Sequence, residues 1–309
     1  ERLLEQQACL QRLQNPPADT VQWFETFTRG FALTSTPLDV AVPFKKCMAE
    51  LPCSWVMTSA TLAVGQSFEH FNQRMGLDNA TTLQLDSPFD YWRNALLYLP
   101  SRLPEPQDSG FISALVDAAV PVIEACGGRT FMLFTSYRAL NEAAELLQDR
   151  IDFPLLIQGE STPRDMIDRF RELGNAVLLG TASFWEGVDV RGDALSCVII
   201  DKLPFAAPTD PVMEARLESI RQRGGNPFGE YQIPQAVITL KQGVGRLIRD
   251  QTDRGVLMIC DTRLRTRSYG KVFLDSLPRM PRTQKLEIVE RFFENKMLPL
   301  REPDETVST

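Results

Sequence analysis

The stretch QGVGRLIR, residues 242–249, sets one carboxamide and two guanidiniums among two glycines. Arginine presents a permanently charged planar fork of donors that matches phosphate oxygens. Glycine inside a helix costs about 1 kcal/mol relative to alanine. A segment that accepts this cost at Gly243 and again at Gly245 needs a backbone that another group approaches closely, or no helix at all. Read as part of a helix over 233–250, Gln242, Arg246 and Arg249 fall within about 40° of one another on a helical wheel. Val237, Leu240, Val244, Leu247 and Ile248 fall opposite. One side is then core, and the other is either an ordinary solvated basic face or an edge that meets phosphate. The glycines favour the second, because a solvated face has no use for them.

A second stretch, residues 178–205, delivers Gly180-Thr181 from an apolar run and follows it with Trp185, Glu186, Gly187 and Asp189. Small residues just after a strand expose backbone N–H groups that can bind phosphate oxygens. Asp189 could accept from a sugar hydroxyl or an arginine. The plainer alternative is a strand-to-helix loop with a turn glycine. A third set, Thr58-Ser59-Ala60-Thr61 and Thr135-Ser136-Tyr137, also directly follows apolar runs. Hydroxyls there suit phosphate contacts and Tyr137 suits stacking on a base. Ser59 and Ser136 serve equally well as helix N-caps.

The elements that must position these residues alternate. Apolar runs at 52–58, 95–100, 130–136, 154–158, 176–181, 195–201 and 255–261 read as strands. Helical patterns fall at 1–15, 66–75, 111–126, 137–150, 163–173, 210–223, 233–250, 262–277 and 282–297, with Pro121 expected to kink or divide the third and a polar tail after the last. The strand segments are continuously apolar, as in parallel sheets covered on both faces. This alternation predicts an α/β doubly wound, mostly parallel sheet, with ligands at the carboxyl ends of the strands.

Composition bounds the function. The chain has 309 residues, 43% hydrophobic and 24% charged, with a net charge of −7. No apolar run is long enough to span a membrane, and a cytoplasmic location is expected. Yet residues 241–285 hold eleven Lys/Arg against four Asp/Glu, a local basic zone suited to phosphates. The six cysteines, at 9, 47, 53, 126, 197 and 260, and the single His70 lack the short spacings of a zinc site. Buried, reduced thiols are expected, and no metal site.

Together, WVMTSATL, MLFTSY, GTASFWEGVDVRG, IIDKLPF and QGVGRLIRD, in this order, resemble the later motifs of superfamily 2 helicases, and among them the DinG/XPD branch in its bacterial form. The resemblance runs from about residue 20 to 297. It implies two RecA-like domains with ATP and Mg²⁺ in the cleft between them and single-stranded DNA across their tops. By that resemblance Arg246 and Arg249 reach the γ-phosphate, Gln242 positions nucleotide or water, and Glu186, Gly187, Asp189 and Gly245 belong to the ATP-binding and coupling motifs. Ser59, Thr61, Ser136, Tyr137 and Thr181 then lie on or near the DNA path.

Neither a G-x-x-x-x-G-K-[ST] phosphate loop nor a strand-linked D-E-x-H is present. Nor are the four clustered cysteines of the family's [4Fe–4S] site. The expectation is therefore that residues 1–62 end a first helicase domain that lies mostly outside this chain, that 63–309 form the second, and that this chain alone is inactive. The whole would be an ATP-dependent 5′→3′ DNA helicase of repair or replication, working at the nucleoid. A second reading makes the region chiefly a docking module. The 282–297 helix and tail would then bind a replisome partner such as the χ subunit of the DNA polymerase III clamp loader. A dinucleotide-binding enzyme fits the fold but lacks G-x-G-x-x-G.

Overall fold

Continuously apolar strands need cover on both faces, and they receive it. In the computed structural model, which describes residues 2–17, 19–51, 53–181, 184, 194–206 and 210–294, the chain divides into two compact units. One comprises Glu1–Gln84 with Phe205–Ala236, the other Leu85–Pro204 with Val237–Thr309. The strands are β1 (Thr20–Phe27), β2 (Gly30–Pro37), β3 (Ala95–Tyr98), β4 (Thr130–Leu133), β5 (Leu155–Ile157), β6 (Val177–Gly180), β7 (Cys197–Ile200), β8 (Gly255–Ile259) and β9 (Arg282–Thr283).

The second unit carries a parallel sheet in the order β5-β6-β4-β7-β8-β3-β9. Helices Phe111–Ala125, Tyr137–Gln148 and Leu286–Phe293 pack on one face, against Leu96, Met132, Val177, Ile199 and Met258. On the other face Phe131 of β4 meets Phe170 of helix Pro163–Leu173, with ring centroids 4.7 Å apart. The doubly wound expectation holds. Register aligns the carboxyl ends: Leu133 lies opposite Gly180 on one side and Ile200 on the other. Thr135, Thr181 and Asp201 therefore leave the sheet at neighbouring points, at the crevice where the chain departs β4 in one direction and returns at β7 in the other.

Several sequence expectations need correction. Of the kink or division expected at Pro121, the division does not occur: helix Phe111–Ala125 is continuous. Proline there forfeits a hydrogen bond at about 3 kcal/mol. Leu115, Val116, Ala119, Val122 and Ile123 are all fully buried, and large apolar side chains contribute roughly 1.5–3 kcal/mol each, so burial wins. The 262–277 helix is two short ones, Arg263–Thr266 and Gly270–Ser276. Gly270 marks the break, since a Cβ there would clash with the Leu264 carbonyl.

Residues 282–283 form β9 rather than helix. Leu97 and Leu99 donate their N–H groups to Pro281 and Thr283 at 2.8 and 2.9 Å, because an edge strand's donors need acceptors. The last described helix is Leu286–Phe293, and Val289 and Phe292 turn inward, 0% and 3% exposed. The apolar face expected to dock a partner is core, and the expected helical residues 295–297 and the tail lie outside the described residues.

The first unit is built differently. β1 and β2 form an antiparallel hairpin from Thr20↔Pro37 to Phe27↔Gly30, with Thr28-Arg29 as its loop; the sequence pattern assigned no element there, nor to helix Ala41–Glu50. Its described apolar core is small: Leu217, Ile220 and Tyr231, backed by Met213. The strand expected over 52–58 does not form among the described residues of that segment, and Trp55 and Val56 stay 39% and 85% exposed. A strand needs a neighbour for its backbone groups, and none of the described strands pairs with this segment.

All six cysteines are free thiols; Cys126, Cys197 and Cys260 are buried as expected, whereas Cys9, Cys47 and Cys53, all in the first unit, are exposed. No helix among the described residues is long and apolar enough to cross a membrane.

Candidate functional site

The carboxyl ends of β4 to β8 gather buried polar groups. Asp201, at the end of β7, is 1% exposed. Its carboxylate accepts from the Thr135 N–H and hydroxyl, both at 3.2 Å, and from the Lys202 N–H at 2.6 Å. Burial pushes its pKa up to about 7, against the opposing pull of those hydrogen bonds and of Lys202. Asp261, after β8, accepts the Leu203 N–H at 2.7 Å and holds Arg263 through a fork of contacts as short as 2.6 Å. The Asp261 bond in turn raises the Arg263 pKa. Two carboxylates thus tie the loops after β4, β7 and β8 into one surface.

Thr181 and Tyr137 are joined through a residue that the sequence reading missed. Gln158, at the end of β5, accepts from the Thr181 N–H at 2.5 Å and from its hydroxyl at 3.0 Å through one oxygen. Its amide nitrogen donates to the Tyr137 hydroxyl at 2.7 Å. Ser136 is the N-cap of helix Tyr137–Gln148, its hydroxyl accepting from Ala139 N–H at 3.3 Å. Gly180 is required where it stands: a Cβ would lie 2.7 Å from the Phe184 ring.

The arginine segment departs from the expected helix to 250. Helix Ile233–Val244 ends before Gly245. The Gly245 N–H still reaches Lys241 at 2.9 Å, but Arg246 and Leu247 donate three residues back, to Gly243 and Val244, at 3.2 and 3.1 Å. The tightening has a cause. The Asp253 carboxylate, 7% exposed, accepts the Arg249 and Asp250 N–H groups at 2.7 and 2.8 Å, pulling the chain off the helical path. Arg246 and Arg249 therefore leave a turn, not one helical face. The expected core set holds: Val237, Leu240, Val244, Leu247 and Ile248 are at most 2% exposed.

Both arginines are half-buried. Gly245 is exposed, and a Cβ there would press on the Lys241 carbonyl oxygen at 3.3 Å, so the turn packs tightly against the end of its own helix. The Gln242 amide oxygen is buried and has no hydrogen-bond partner among the described residues.

Ser59 and Thr61 belong to the first unit, where the Thr61 N–H donates to the Ser59 hydroxyl at 3.2 Å in an exposed turn. Ser59 caps no helix, since the next begins at Glu69. Trp185, Glu186, Gly187 and Asp189 lie outside the described residues. Asp201, Asp253 and Asp261 were also missed as site residues. Each is an aspartate just after an apolar run or a turn, a signal indistinguishable in sequence from a solvated loop.

A parallel doubly wound sheet with its polar groups at the strand ends is the architecture of a RecA-like lobe. Two solved structures share this fold. "XPD_APO" superposes over 91% of this chain and 57% of that chain with a TM-score of 0.64 at 15% identity, and "XPD_Helicase" over 91% and 50% with a TM-score of 0.62 at 16% identity. The chain belongs to the Helicase C-terminal domain family, which matches residues 119–280. Relatives include ATP-dependent DNA helicase YoaA of Escherichia coli, 52% identical over 87% of this chain, and that of Haemophilus influenzae, 50% identical over 89%. ATP-dependent helicase DinG of Mycobacterium tuberculosis is 40% identical over 72%. The chain spans 42%, 43% and 34% of those three proteins' own lengths.

Proposed function

We propose that this chain is the C-terminal motor region of an ATP-dependent 5′→3′ DNA helicase of the DinG/XPD type, acting in repair or replication. In this reading residues 1–62 close a first motor lobe and 63–309 form the second; the compact units group Glu1–Gln84 with Phe205–Ala236 and Leu85–Pro204 with Val237–Thr309. The observation that carries the reading is the end of helix Ile233–Val244. There a buried Gln242 oxygen, without a hydrogen-bond partner among the described residues, stands one turn before two half-buried arginines, with exposed Gly245 between them.

That arrangement fits a nucleotide. ATP with Mg²⁺ supplies the phosphoryl group and its counter-charge. Arg246 and Arg249 offer fixed positive charge where negative charge grows during phosphoryl transfer, and Gln242 holds an acceptor ready for a water or hydroxyl. Thr181, Ser136 and Tyr137 line the single-stranded DNA path; Ser59 and Thr61 belong to a motif of the first unit that couples hydrolysis to DNA, and Glu186, Gly187 and Asp189 couple nucleotide to DNA. The described thiols do not fit an iron–sulfur cluster. Cys126 donates to the Gly128 carbonyl at 2.9 Å, and no three ligating side chains converge among the described residues.

The docking reading finds less support, because Val289 and Phe292 of its helix are spent on the core. Purified alone, this chain should bind a single-stranded oligonucleotide yet hydrolyse no ATP in a coupled phosphate-release assay. Steady turnover that copurifies with it would refute the division of labour between two lobes.

A further inference from the structure

Three hydrogen bonds of the Gln158 side chain have a consequence for how this lobe takes up a strand. Thr181 carries two donors, its N–H and its hydroxyl, and both end on one atom, the Gln158 amide oxygen. Two donors from adjacent atoms converging on one oxygen is how proteins commonly hold a phosphate oxygen. Thr181 is only 6% exposed while Tyr137 is 56% exposed. The carboxamide thus occupies the donor pair and holds the ring by its hydroxyl. Gln158 is itself only half-buried, beside exposed Gly159, whose backbone at φ +109° places it where side-chained residues rarely go. Its side chain stands at the surface, over a buried donor pair.

We propose that the Gln158 carboxamide oxygen stands in for a phosphate oxygen of single-stranded DNA, and that the strand displaces it. This rests on the reading above, in which Thr181 and Tyr137 lie on the DNA path. On displacement, the phosphate oxygen takes both Thr181 donors. The same swing of the side chain breaks the bond to the Tyr137 hydroxyl and releases the ring to stack on a base. One side chain thereby makes phosphate capture and base stacking a single event. In the free protein the donors stay satisfied, which avoids leaving a buried polar group unpaired. Gln158 is a positioning residue that competes with the ligand.

The test is fluorescence anisotropy of a labelled oligothymidine bound by the intact protein at fixed salt, with melting curves to verify folding. Thr181→Val should raise Kd about fivefold or more, having lost a phosphate donor. Gln158→Ala should lower Kd roughly three- to tenfold, since the competitor is gone. Gln158→Glu should raise Kd about tenfold or more, because a carboxylate grips the donors harder and repels phosphate. If Gln158→Ala fails to fold, Gln158→Asn, one methylene too short to reach Thr181, carries the same expectation.

Gln158→Ala binding as weakly as Thr181→Val, or unchanged within about twofold, overturns the stand-in while the DNA path survives. Thr181→Val binding as tightly as the parent overturns the path itself, and the proposal with it.

Discussion

The two units of this chain solve the burial problem to different degrees. In Leu85–Pro204 with Val237–Thr309, every residue of β4, β6, β7 and β8 is buried, and the strand-end carboxylates are satisfied by backbone and arginine. In Glu1–Gln84 with Phe205–Ala236, the hairpin leaves Phe24, Phe31 and Leu33 on one face at 68%, 70% and 55% exposure. Of the large apolar side chains exposed among the described residues, all but Leu85, Tyr137, Leu173 and Val272 lie in that unit. Contiguous exposed apolar surface marks an interaction site. The first unit has the composition of something covered, and the second of something complete.

The sharpest way to break this comparison is a matched pair of truncations in this chain. Phe131→Ala, in β4 at 0% exposure, should cost about 3–5 kcal/mol of unfolding free energy in denaturant melts. Phe31→Ala should stay within about 0.5 kcal/mol, as surface changes do. Equal costs would erase the distinction between the units.

Gly180→Ala should cost roughly 1–3 kcal/mol by overpacking against Phe184; a neutral result would mean that the loop after β6 gives way freely.

A pH-dependent effect comes from Asp201. Its folded pKa of about 7 exceeds the ordinary 3.8, so the carboxyl's contribution to stability is fully present below about pH 4 and is lost as pH rises to 7. Asp201→Asn should flatten that part of the stability–pH profile measured by thermal melts; an unchanged slope would place the titration elsewhere.

Much of the second unit could be read directly from the chain. Runs such as TFML and GVLMI are short and almost continuously apolar, the pattern of strands buried on both faces, and their spacing implied helical crossovers. The errors share a cause: local pattern carries no information about distant partners. The helix to residue 250 had faultless periodicity, yet Asp253 captures two N–H groups and ends it early. Residues 52–58 looked like a strand, but no described strand pairs with them. Gln158 gave no signal, because a glutamine after a strand acquires meaning only when β5 and β6 pair and bring Thr181 beside it. The hairpin was missed because its apolar residues do not alternate with polar ones, Trp23 and Phe24 being adjacent and on opposite faces.

The most direct trial of the central claim is DNA-stimulated ATP turnover by the intact protein carrying Arg249→Ala, compared with its parent under saturating single-stranded DNA. If the turn after helix Ile233–Val244 presents its guanidiniums to the triphosphate, turnover should drop by about 10³-fold or more while the melting midpoint holds. Turnover within a few-fold of the parent would contradict the account.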